Sequence, residues 1–101
     1  MFIMARPKKF RFVGAEPEAT YFKPRAIPLA ELEEVCLSIE ESEALKLKFL
    51  DKLEQEEAAK KMKVSRTTFW RILNAAGEKV SDALINGKAI RIEGGTYKLR
   101  R

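Results

Sequence analysis

The chain has 101 residues, 46% hydrophobic and 35% charged. That composition suits one soluble globular domain and excludes a disordered chain or a membrane span. With no histidine and Cys36 as the single cysteine, His-dependent catalysis, an intramolecular disulfide and a multi-cysteine zinc or iron–sulfur site are excluded. The net charge of +5 is unevenly distributed: residues 1–30 carry +4, residues 31–57 carry −7 and residues 58–101 carry +8. A basic C-terminal half is the footprint expected of a polyanion binder, with the acidic middle facing away from it.

Met1–Met4 is apolar but too short for a signal-peptide core, and either Met1 or Met4 can serve as the start. Phe10, Arg11 and Phe12 alternate apolar and basic, which predicts a short strand ending at Gly14. Residues 16–28 hold Pro17, Pro24 and Pro28, so no helix runs through them. A short helix is expected from Leu29 over Glu31 to Val35, with Cys36 at its edge as an ordinary reduced thiol. That points to the cytoplasm. Ser38 and Glu41 fit a capping box, and Ala44, Leu45, Phe49 and Leu50 supply an apolar face up to Asp51 or Lys52. Helices are then predicted over Gln55–Met62 and from Ser65, a good N-cap, to a stop at Asn86-Gly87, with Gly77 as a kink or break. Ala89–Ile92 alternates like a strand, Gly94-Gly95 ends it, and Thr96–Arg101 reads as a basic, mobile tail. The layout is residues 1–30 as a basic strand and Pro-rich connection, 31–87 as a helical core, and 88–101 as a strand and tail of the same domain.

Residues 53–73 carry the functional signal. A helix-turn-helix needs a small residue where its two helices cross, a tight turn four residues later, and apolar residues that pin the helices together. Ala59 is the small residue, and Lys63 stands at the turn. Ala58, Met62, Val64, Phe69 and Ile72 fill the apolar places. The turn favours glycine because its backbone tends toward positive φ; lysine there costs about 1 kcal/mol. The second helix would enter the major groove with its N-terminal part. Off its core stripe stand Arg66, Thr67, Trp70, Arg71 and Asn74, with Thr68 in the same turn. Arginine pairs with guanine O6 and N7, and asparagine with adenine. Ser65 and the helix N-terminus would hold a phosphate, and Lys60, Lys61 and Lys63 would touch phosphates without reading sequence. Trp70 either faces DNA or packs on the N-terminal segment, and Arg71 either reads a base or pairs with a carboxylate. Lys8, Lys9 and Arg11 form either a phosphate-binding arm or a solvated terminus. No base, nucleophile or phosphate loop forms a catalytic constellation, so no enzymatic activity, cofactor or metal is expected.

Seven segments, Arg6–Phe10, Tyr21–Leu29, Leu32–Val35, Glu43–Leu47, Gln55–Ala59, Val64–Phe69 and Gly87–Gly95, resemble in order an uncharacterised prokaryotic family of small predicted DNA-binding proteins. This is UPF0251, also called domain of unknown function 134. Residues 40–76 are also similar to the fourth region of bacterial sigma factors. The resemblance implies a mainly α fold: a sigma-region-4-like, winged-helix-like core of three to four helices with short terminal strands. It also implies a recognition face of Ser65, Arg66, Thr67, Trp70 and Arg71. Lys63 and Ala26 depart from glycines of the family. Some relatives carry a further domain resembling dinitrogenase iron–molybdenum cofactor-binding proteins, which is not expected here.

The expected function is therefore sequence-specific binding of double-stranded DNA by a transcriptional regulator. A single module covers few base pairs, so a homodimer is expected, with its seam at Val80 and Leu84 or at the Ile90–Ile92 strand. The alternative is a protein-interaction module, for example with RNA polymerase, without specific DNA readout.

Overall fold

The computed structural model describes residues 10–100. Lys8, Lys9 and the start of the expected basic arm lie outside the described residues. The alternation after Phe10 forms strand β1 (Arg11–Val13), which sends Val13 into the core. The Pro-rich stretch contributes only the two-residue strand β2 (Tyr21–Phe22).

The helix expected over Glu31 to Val35 is absent. Pro28 opens a single 3-10 turn, Leu29–Glu31, and Leu32 is already extended at φ −94°, ψ 123°. Glu34–Leu37 then form strand β3. Tertiary pairing outweighs local helix propensity here. β3 runs parallel to β4 (Ala89–Ile92), with Val35 opposite Ile90 and Leu37 opposite Ile92. Cys36 consequently lies exposed on a strand, not at a helix edge.

Helix α1 (Ile39–Leu45) begins at the expected capping box. Glu41 N donates to Ser38 Oγ at 3.1 Å, and Ser38 N donates to Glu41 Oε1 at 2.8 Å. The helix then widens across Lys46–Leu50, where Asp51 N donates to Lys46 O at 2.9 Å, an i to i+5 closure. The wide turn shifts the apolar register. Leu47 is buried, whereas Phe49 and Leu50, expected on the core face, are exposed.

Helices α2 (Gln55–Met62) and α3 (Arg66–Asn86) have the expected bounds. α3 passes through Gly77 without interruption. It stops at Gly87, whose φ of 67° lets Lys88 N reach back to Ala83 O at 2.9 Å. Ala83, not Leu84, faces the core. Residues expected as a mobile tail instead form strand β5 (Tyr97–Leu99), parallel to β1 with Lys98 opposite Phe12. β4 is the middle strand of a second sheet, in the order β2-β4-β3.

Among the described residues the result is mainly α, three α-helices framed by short strands. α3 is its spine. Its first half packs Phe69 and Ile72 on Ala44, Leu47, Ala58, Ala59 and Met62. Its second half packs Ala76 with Val13, Leu37, Ile39 and Ile92. The acidic run is partly internal: Glu40, Glu41 and Glu43 are buried on α1. Glu43 accepts from Arg100 at 2.8 Å and from Gly14 N at 3.1 Å, and Glu41 accepts from Lys79 at 2.8 Å. Glu40 accepts from Thr96 N at 2.9 Å. Gly95, at φ 104°, permits that approach, since a Cβ there would lie 2.0 Å from Glu40 Oε1. Charges buried in this way need partners, and these carboxylates stitch the terminal strands and α3 to α1.

Candidate nucleic-acid interface

The site is built on the α2–α3 connection. Lys63, the residue after α2, adopts φ 54° and ψ 46°. Val64 N donates to Ala59 O at 3.0 Å and Lys63 N to Lys60 O at 3.1 Å, so these two carbonyls of the last turn of α2 are satisfied within the turn. Ala58, Ala59 and Met62 on one helix and Phe69 and Ile72 on the other are buried together, which sets how α3 crosses α2.

Ser65 caps α3. Its hydroxyl accepts from Thr68 N at 3.1 Å and lies 2.9 Å from Thr68 Oγ1. Ser65 and the half-buried Thr68 are thus engaged with each other and act by starting the helix. Arg66, Thr67, Trp70, Arg71 and Asn74 are all exposed on the outward side of α3. Trp70 is 51% exposed, and with Phe49 and Leu73 it lines a groove of about 710 Å³. Lys60, Lys61 and Lys63 are exposed around the turn.

Charge pairing separates two populations of cations. Arg11, Lys46, Lys79, Lys88, Arg91 and Arg100 each have a carboxylate within 4.0 Å. Among the described residues, Lys60, Lys61, Lys63, Arg66 and Arg71 have none. Arg11, a candidate for a phosphate-binding arm, is committed to buried Glu40 at 3.5 Å. Away from the turn the paired groups perturb one another. Hydrogen bonds from Arg91 and then Tyr21 hold Glu34 below its ordinary carboxyl value. Asn86 and then Lys88 do the same for Asp82.

Gln55 was not among the residues singled out by sequence. It shares a depression of about 320 Å³ with Arg66, Thr67 and Trp70. The only hint was its place at the start of α2; its nearness to α3 depends on the crossing angle. Glu54 and Glu56 line a second depression with Lys48, Gln55 and Arg66. The acidic stretch therefore does not lie wholly away from the basic face. Among the described residues no group of three or more His, Cys, Asp or Glu side chains is placed to hold a metal ion, and no helix is long and apolar enough to cross a membrane. Of the two seams, the Ile90–Ile92 strand is paired on both edges. At the end of α3, Leu84 and Ile85 are 74% and 82% exposed, while Val80 packs into the core.

The family model for "Protein of unknown function DUF134" matches residues 1–100. The chain belongs to this family. Relatives bear it out. The chain is 62% identical over 96 residues to a UPF0251 protein of Caldanaerobacter subterraneus, covering 95% of this chain and 81% of the relative. It is 60% identical over 96 residues to a UPF0251 protein of Moorella thermoacetica, covering 95% and 64%. No solved structure matches the chain. The family match thus spans every element from β1 through β5.

Proposed function

We propose that this DUF134 protein is a cytoplasmic, non-enzymatic regulator of transcription that binds double-stranded DNA sequence-specifically. In this reading α2, the Lys63–Ser65 turn and α3 act as a helix-turn-helix of the sigma-region-4 kind. The observation that carries it is the outward side of α3: Arg66, Thr67, Trp70, Arg71 and Asn74 stand exposed together beside a turn of unpaired lysines. Arg66, Arg71 and Asn74 are the donors that read guanine and adenine edges, and Gln55 adds an amide beside them. Lys60, Lys61 and Lys63 neutralise phosphates. A homodimer would set two such helices on a two-fold site, and the exposed Leu84 and Ile85 support a seam at the end of α3.

The test is selection from a randomised duplex pool at two salt concentrations, with the bound fraction sequenced. Enrichment of a motif, above all an inverted repeat, is expected. Salt-sensitive retention without enrichment would reduce the reading to non-specific binding. A protein-interaction module is the second reading, favoured by the exposed Phe49, Leu50 and Trp70. Absence of duplex binding at either salt would turn the conclusion to it.

A further inference from the structure

α2 is electrically polarised. Glu56 and Glu57 occupy its first turn, after Glu54, and Lys60 and Lys61 its last. A phosphate backbone is repelled from the first end and attracted to the second. What stands at the second end is the β1/β5 ribbon, for the Arg100 guanidinium donates to Lys61 O at 3.0 Å and to Phe12 O at 3.2 Å.

Neighbouring residues of an extended chain point to opposite sides. Arg11 and Val13 turn inward, to Glu40 and the core. Phe10 and Phe12 turn the other way, and each carries an ammonium on its ring. Lys63 Nζ lies 4.8 Å from the Phe12 centroid, and Lys98 Nζ lies 5.0 Å from that of Phe10. The rings are two residues apart, about 7 Å along the strand. They hold a lysine from the α2–α3 turn and a lysine from the C-terminal strand side by side. Aromatic faces orient an ammonium without neutralising it, whereas a carboxylate would cancel its charge. Among the described residues neither lysine has a carboxylate within 4.0 Å.

We propose that the β1/β5 ribbon is a second DNA-contacting surface, on which Lys98, aligned with Lys63 over Phe10 and Phe12, grips the duplex backbone beside the groove that α3 enters. This rests on the DNA-binding reading above and adds to it a contact outside the α2–α3 unit. The partner is the phosphodiester backbone, so the contact adds affinity and carries no sequence information.

The experiment measures binding of the full chain to a fluorescein-labelled duplex of mixed sequence across a salt series. Lys98→Gln is expected to make the slope of log K against log salt shallower by about 0.9, the value for one lost phosphate contact. Lys98→Arg should keep the slope, and Lys23→Gln, in the connection after β2, should change nothing. Enriched motifs from the randomised pool should be the same for Lys98→Gln and the parent. An unchanged slope in Lys98→Gln, alongside a shallower one in Lys63→Gln, would overturn the ribbon contact and leave the DNA reading standing. A drop in affinity at constant slope with a lowered Tm would assign Lys98 a structural role and overturn it too. If the parent chain shows no salt-dependent duplex binding, the underlying DNA reading fails first.

Discussion

Lys63 serves the turn and the charge pattern at once, and the two demands conflict. Its φ of 54° lies in the left-handed region, which costs a residue with a Cβ about 1 kcal/mol relative to glycine. A lysine kept there supplies an ammonium that glycine lacks, held over Phe12. Lys63→Gly should therefore raise stability by about 0.5–1 kcal/mol, after the added freedom of the unfolded chain is counted, while weakening duplex binding. Thermal unfolding and a binding titration of one variant read both effects; a variant that loses stability would contradict the strain argument. Arg66 makes a different prediction. If it reads a base edge, Arg66→Ala should cost about 1–3 kcal/mol at a single position of the site and relax preference there. An equal loss on all sequences would make it a backbone contact instead.

Among the elements, α3 sets the geometry, since both core clusters gather on its 21 residues. Gly77 sits in its middle with helical neighbours, and a Cβ built there meets nothing within 4 Å. The absent side chain serves no internal packing. Gly77→Ala should stabilise the helix by about 0.5–1 kcal/mol, readable as a rise in Tm. A fall would mean that the groove beside Phe49 and Trp70 tightens in a way the present geometry does not contain. The wide turn at Lys46–Leu50 matters to the same groove, because it turns Phe49 out beside Trp70.

At the scale of the molecule, charge is sorted. Among the described residues, carboxylates secure Arg11 and Arg100 beside the terminal strands, Arg91 of the sheet, and Lys79 and Lys88 at the second half of α3, and leave the cations around the turn, with Lys98 of β5, unpaired. This sorting gives stability an acid limit. Glu34 and Asp82 titrate below their ordinary values of 4.5 and 3.8 in the folded chain. A depressed carboxyl contributes stability above its unfolded value and loses it as pH falls through the folded one. Tm should thus hold from neutral pH down to the ordinary carboxyl range and decline below it. The decline should be shallower in a Glu34→Gln, Asp82→Asn double variant. An acid limb parallel to the parent's would remove these two groups from the account.

The sequence alone determined what depends on neighbours along the chain. The capping box at Ser38 and Glu41 and the cap at Ser65 are settled by side chains a few residues from the backbone groups they serve, and the stop at Gly87 by a residue free to take a positive φ. The exposed face of α3 followed from the same 3.6-residue period that set its buried one. The tertiary structure decided what depends on partners far away in sequence. Residues 34–37 became a strand because β4 offered a ladder more than fifty residues later. The C-terminal residues became β5 because β1 lies beside them and buried Glu43 holds Arg100. Gln55 joined the candidate site, and Arg11 left it, for the same reason. A helix crossing and a buried ion pair are properties of packed elements, and no window of sequence contains both halves of either.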